Sequence, residues 1–227
     1  MKRRKVAIVW TMVLALAGAI VSCSTKKNTP MTRFYHSMTA HYNIMYNGEV
    51  AFEKGQDAQT DGHRDDYNSL LPMYISTNKS TAGMGKGNYA TAIEKCEKAI
   101  KLHSIKKKPK LNPGQKRTQE MKDYLARKEF NPYLWRAWMM MGESQFNRGE
   151  FIEAASTFNY TIRLYSTQPE VANLARAWLA RCYVALDWPY DAEDVLRKMQ
   201  RDSLDFRTQQ QYDNSRAAWL IQTGQYE

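Results

Sequence analysis

Apolar residues recur at helical spacing through most of the chain, and in two places the same order of bulky and small residues returns. One copy reads Trp138, Met141, Gly142, Gly149, Phe151, Ala154 and Phe158; the other places Leu179, Ala180, Tyr183, Leu186, Ala192, Leu196 and Met199 in register at a shift of 38 residues. Each copy predicts a helical hairpin, in which a bulky residue and a small one on the first helix interlock with a small and a bulky one on the second. Gly149 and the Trp188-Pro189 pair mark the turns. Gly87, Tyr89, Ala92, Cys96 and Ala99 repeat the turn and second helix of such a unit, but the Gly- and Ser-rich segment before them is a poor first helix. Gly224 and Tyr226 begin another turn shortly before Glu227. Upstream, Phe34 to Lys54 has helical period with Tyr35, Met38, Tyr42, Met45 and Phe52 as its apolar stripe. Asp57 to Asp66 is polar enough to predict a loop, Tyr67 to Ile75 is apolar but interrupted by Pro72, and Ser76 to Gly87 reads as irregular.

The interlocking pattern resembles the tetratricopeptide repeat, whose period is about 34 residues. The longer shift predicts a lengthened connection around Ser166 to Glu170, where Pro169 cannot continue a helix. The expected fold class is therefore all-α, a tetratricopeptide-like helical-repeat solenoid. An open repeat edge leaves apolar surface in water, so the turn at Gly224 predicts an N-terminal fragment of a longer protein with its last repeat truncated.

The first residues change the picture from a repeat array to an exported one. Lys2, Arg3, Arg4 and Lys5 precede an apolar run from Val6 to Ile20, and Ile20-Val21-Ser22-Cys23 closes it. This resembles a lipoprotein signal, cut before a Cys whose thiol carries a diacylglycerol. The run is shorter than the ~20 residues of a spanning helix, and several acyl chains at ~0.8 kcal/mol per buried methylene hold a mature N-terminus firmly. Residues 1–22 are thus expected to be signal peptide and 23–33 a lipidated polar tether. An N-terminal helical region with a partial repeat follows over 34–103, then a basic linker and helix start over 104–130 and tetratricopeptide-like repeats over 131–227. Ser24 to Pro30 contains no acidic residue, which favours a periplasm-facing over a cell-surface lipoprotein.

Composition fits an aromatic-cored fold: 43% hydrophobic, 12% aromatic, six Trp and fourteen Tyr. The formal charge of +10 is concentrated. From Lys101 to Lys128 ten basic residues face only Glu120 and Asp123, so Lys106 to Lys110 are candidates for contact with an anionic surface. Pro109 and Pro113 keep that segment open, and the lack of interleaved aromatics argues against nucleic acid. An exported chain permits a disulfide between Cys96 and Cys182, but both sit at apolar positions of predicted helices, where a buried small hydrophobe is the commoner use, and neither belongs to a CxxC, so whether they pair stays open.

Catalytic patterns are thin. Gly83-Met84-Gly85-Lys86-Gly87 lacks the Ser or Thr and the preceding strand of a phosphate loop. His36, His41, His63 and His103 have no metal-ligand spacing, and Asp65-Asp66 and the Asp191, Glu193, Asp194 group read as solvated surface. No enzyme, metal or cofactor is expected. The predicted work of the chain is binding, through a groove to which Arg136, Glu143, Asn147 and Arg181 contribute, with Trp135 or Met139 emerging on it. Met139 and Glu143 occupy the places where carboxylate clamps carry Lys and Asn, so a C-terminal carboxylate is not the expected ligand.

From Phe34 through Tyr42-Asn43-Ile44-Met45-Tyr46-Asn47-Gly48, directly after the tether, the chain resembles the PorW/SprE lipoproteins of Bacteroidetes. Leu70-Leu71-Pro72 and Ala92 to Ser104 continue the likeness in the same order. The resemblance implies an outer-membrane-tethered periplasmic adaptor of type IX secretion, with gliding motility in some relatives, that binds other protein components of the machinery. The alternative is a glycan-binding lipoprotein of nutrient uptake with helical repeats, which calls for an acidic export tether and aromatic platforms on loops.

Overall fold

The computed structural model describes residues 25, 27–68, 71, 73–77, 81, 83–111, 114, 118–199 and 203–225. The signal segment, Cys23, Leu70, Pro72, Pro113, Tyr226 and Glu227 lie outside them. Among the described residues the chain is all-α, with no strand.

The first helical stretch is longer than its apolar period predicts. Helix α1 (Pro30–Thr39) opens on Pro30 behind Thr29, whose hydroxyl caps the Thr32 amide at 3.2 Å. A π-helical turn (Ala40–Met45) follows, and α2 (Tyr46–Gly62) continues it without a break. Much of the loop expected over Asp57 to Asp66 is therefore helix. Gln59, only 4% exposed, explains why: it donates to the Asn147 carbonyl at 2.7 Å and accepts from the Tyr89 hydroxyl at 2.8 Å. Polar residues that read as solvated here satisfy one another inside the protein.

The apolar stripe is also corrected. Tyr35, Met38 and Tyr42 are exposed, whereas Thr32, His36, Ala40, Ile44, Met45, Gly48, Ala51 and Gly55 form the buried face. Close helix packing selects small residues there. A Cβ on Gly55 would lie 2.8 Å from the Tyr89 ring, and one on Gly48 3.2 Å from Lys95 Cβ. Helix α3 (Lys86–His103) packs against α2. The partial unit thus does have a first helix, supplied by residues 46–62 across a connection and not by the Gly-rich segment.

After the short α4 (Gln119–Ala126) come α5 (Leu134–Asn147), α6 (Phe151–Leu164), α7 (Pro169–Ala185), α8 (Pro189–Met199) and α9 (Phe206–Gln222). Three-residue turns join α5 to α6 and α7 to α8 and force antiparallel hairpins. The ends of α5, α7 and α9 are built alike. Glu150 donates its amide to the Gln145 carbonyl, Trp188 to Tyr183 and Gln225 to Leu220, each at 2.9 Å, around the left-handed residues Gly149, Asp187 and Gly224. This is the six-to-one closure of a Schellman cap. The 38-residue shift is not absorbed in a longer connection: Tyr165 to Gln168 is short, and α7 begins at Pro169 where α5 displaced by 38 residues would begin at Ala172. The insertion lengthens the first turn of a helix, which Pro tolerates at its N-terminus.

Neighbouring helices pack in sequence, α3 on α2 and α5, α6 on α5 and α7, and α7 also on α8 and α9. Successive cores form between them. Ala40, Met45, Cys96, Ala99, Leu134 and Met141 make one; Met139, Phe146, Phe158, Leu174, Trp178 and Cys182 the next; Ala177, Leu196, Met199 and Tyr212 the last. Cys96 and Cys182 are free and lie in different cores, where burial raises both thiols well above their ordinary range. Met139 is buried, so of the two residues expected to surface on the groove only Trp135 remains partly open.

Candidate protein-binding groove

Arg136, Glu143 and Asn147 lie seven and eleven positions apart on α5 and so share one face. The three reach different surroundings. Arg136 is exposed and stacks over Trp135 and Tyr133, its guanidinium carbon 5.1 and 5.8 Å from their ring centroids. Asn147 gives its carbonyl to Gln59 and lines a cleft of about 300 Å³ with Gln56, Tyr74, Phe146, Trp178 and Arg181. Glu143 faces Arg181 and Arg207; burial pushes its carboxyl up to about 7, against the pull of those two guanidiniums.

Arg181 is not the open ligand-facing side chain that its position predicts. It is 7% exposed, its guanidinium lies 4.1 Å from the ring centroids of both Tyr74 and Trp178, and Nη2 donates to Gln211 Oε1 at 2.7 Å. Tyr74 belongs to the segment between α2 and α3, whose 3-10 turn (Ile75–Thr77) touches α2 and α5. Its ring also meets Phe146 edge-on at 6.1 Å. Tyr74 therefore covers Arg181, while the Ile75–Thr77 turn rests on α2 and α5. A pattern search along one helix cannot see such a contact, because the partner comes from an irregular stretch far away in sequence. What stays open is Arg136, with Glu143 and Asn147 only partly exposed beside it, and, lining a neighbouring cleft with Trp135 and Pro169, Arg207.

Two buried polar clusters outside the groove have no local sequence signal. His36 and His103 meet at 2.8 Å between their Nδ1 atoms, one donating to the other. Burial and the neighbouring imidazole push His103 down to about 4. Glu129, 3% exposed, accepts the amides of Ile105, Phe130 and Asn131 at 2.9, 3.0 and 2.8 Å on Oε1 and the Ser104 hydroxyl at 2.5 Å on Oε2. It thereby ties the end of α3 to the approach to α5. Among the described residues no group of three or more His, Cys, Asp or Glu is placed to hold a metal ion, and no helix is long and apolar enough to cross a membrane.

The two perturbed groups give opposite pH dependences. His103 titrates lower when folded than unfolded, so its share of stability is present above about 6.5 and is lost as pH falls toward about 4. Glu143 titrates higher when folded, so its share is present below about 4.5 and is lost as pH rises to about 7. The two offset each other over that range. Glu143→Gln is expected to raise the melting temperature at pH 8 and to expose a steeper acid loss, each worth roughly 1–2 kcal/mol after solvent screening. Calorimetric melting across pH 4 to 8 measures this; an unchanged profile would show that Glu143 titrates normally.

Among the described residues the molecule is thus an all-α protein of sequentially packed helices, with Arg136, Glu143 and Asn147 on one face of α5. The chain matches no family model and no curated protein.

Proposed function

We propose that this protein is a lipid-anchored, periplasm-facing adaptor at the outer membrane that binds other components of the type IX secretion machinery through a tetratricopeptide-like array. The observation that carries the binding-scaffold reading is the coincidence of residue pattern and turn geometry at one 38-residue shift, Gly149 with Asp187 and Gly142 with Ala180. Paired helices stacked in this way offer a long surface to a macromolecule without a closed pocket for a small substrate. The assignment to type IX secretion is supported by the resemblance at Phe34 to Gly48, and the anchor by Ile20-Val21-Ser22-Cys23.

Affinity capture from membranes with the acylated full-length protein is expected to recover secretion components. Arg136→Glu reverses the exposed charge on α5 and should weaken that capture about tenfold, because rim charges act on encounter and specificity, while circular dichroism stays unchanged. Recovery of no secretion component would refute the adaptor role. Cys23→Ala should release the protein from membranes, and continued attachment would refute the lipid anchor. Degradation of the mature body by protease added to intact cells would instead point to a surface glycan-capturing lipoprotein.

A further inference from the structure

The N-terminal helix carries its large apolar residues on the wrong side for a core. Met31, Phe34, Tyr35, Met38, Tyr42 and Tyr46 are between 41% and 66% exposed. Their spacing of three or four residues puts them on one face, a stripe roughly 22 Å long at 1.5 Å per residue. An ordinary surface helix buries such a stripe; here the opposite face, made of Thr32, His36, Ala40 and Gly48, is the one packed against the body. A contiguous exposed apolar face of this length marks an interaction site.

The charge beside it says what the site meets. Asn28 donates to the Lys107 carbonyl at 2.7 Å and accepts from Arg33 at 2.6 Å, which draws the basic linker alongside the start of α1. Between them lies a cleft of about 570 Å³ to which, among the described residues, Lys27, Arg33, Lys107, Lys108 and Lys110 contribute and no carboxylate does. Glu49 is the first acidic residue of the whole chain, beyond the stripe, and its carboxylate is engaged by the Tyr133 hydroxyl at 2.9 Å.

We infer that this face lies in the headgroup layer of an anionic membrane, with Met31, Phe34, Met38 and Tyr42 inserted at the acyl boundary and the linker lysines on lipid phosphates. Tyrosine and phenylalanine with a cationic flank are what an interfacial helix uses: rings sit at headgroup depth, and each lysine near the surface adds attraction to anionic headgroups. An acidic protein partner would satisfy the lysines but gives no reason for six large apolar side chains in a row with no carboxylate among them. The proposed lipid at Cys23, seven residues before Pro30, would hold the face within about 25 Å of the bilayer. The inference rests on the lipid-anchored reading for that proximity, and it goes further in laying a second surface on the membrane.

The buried Cys96 and Cys182 resist labelling, so Met38→Cys or Tyr42→Cys in the acylated full-length protein takes an environment-sensitive fluorophore at one site. Reconstituted in vesicles of phosphatidylethanolamine with phosphatidylglycerol, the label at 38 or 42 should shift to the blue and be quenched by lipid-borne bromine, whereas a label at Tyr190→Cys, on α8 and 84% exposed, should not. The quenching should fall severalfold in phosphatidylcholine vesicles, at raised salt, and in Lys107→Glu/Lys108→Glu/Lys110→Glu. An aqueous spectrum at 38 and 42 in anionic vesicles would overturn the inference, as would a blue shift that appears only when membrane proteins are added back. Sedimentation of the same samples reports the anchor separately: protein that pellets with vesicles while its label stays aqueous retains the lipid and refutes only the inserted face.

Discussion

Phe158→Ala is expected to destabilise the protein by about 3–5 kcal/mol, the range for removing a fully buried aromatic ring. Phe158 is fully buried, its ring stacks at 5.8 Å between centroids on Trp178 of α7, and it fills the space that Gly142 leaves on α5. A Cβ at position 142 would stand 2.6 Å from the ring. Gly142→Leu should therefore also destabilise, by about 3 kcal/mol, even though leucine is the better helix former by roughly 1 kcal/mol. The pair makes the interlock measurable. Gly142→Leu placed on the Phe158→Ala background should recover 1–3 kcal/mol, the coupling expected of residues that share one space. Urea unfolding followed by circular dichroism gives all four corners of the cycle, and strict additivity would show that the ring and the glycine do not meet. Because α5 also carries Arg136 and Glu143, the single variants should lose partner capture together with stability.

Glu129→Ala is expected to cost about 3–5 kcal/mol, since truncation strips the acceptor from the buried Ile105 and Asn131 amides and the Ser104 hydroxyl at once and leaves the Phe130 amide only the Ile105 carbonyl. Glu129→Gln should cost far less, about 1 kcal/mol: its amide oxygen can still accept the three N–H groups while its nitrogen donates to Ser104. Glu129 acts with two further ties, the Phe130 amide to the Ile105 carbonyl and the Asn131 side chain to the His103 carbonyl, both at 2.9 Å. Together they close the basic linker into a loop whose ends stay in register with α3 and α5. Limited proteolysis should accordingly cut between Lys106 and Lys128 much faster in the Ala variant than in the Gln variant. Equal behaviour of the two would mean that the carboxylate is solvated.

Helix existence was legible along the chain where apolar residues repeat every three or four positions and tight turns interrupt them. Leu134 to Met199 is read well for that reason, including the hairpin turn at Gly149. The same logic failed over Tyr35 to Gly62 in an instructive way. Period alone says that one face differs from another; it does not say which face the rest of the protein covers. Where two helices approach over Gly48 and Gly55, small residues are buried and the large ones are left outside. The groove was partly legible. Glu143 and Asn147 share one face of α5 with Arg136, as their spacing implies, but Arg181 is covered by Tyr74, a residue from an irregular segment with no periodic signal.

The sequence by itself determined the all-α class, the hairpin register and the apolar helix positions of Cys96 and Cys182, because each depends on neighbours one or two turns away; that the two thiols stay unpaired in separate cores was decided by the tertiary structure. Tertiary structure alone decided the meeting of His36 with His103, the amide cradle around Glu129, the burial of Arg181 and the outward turn of the Phe34 to Tyr46 stripe. Those contacts join residues far apart along the chain, and a long-range pairing leaves no local periodicity to read; it exists only once the backbone has brought the two ends together.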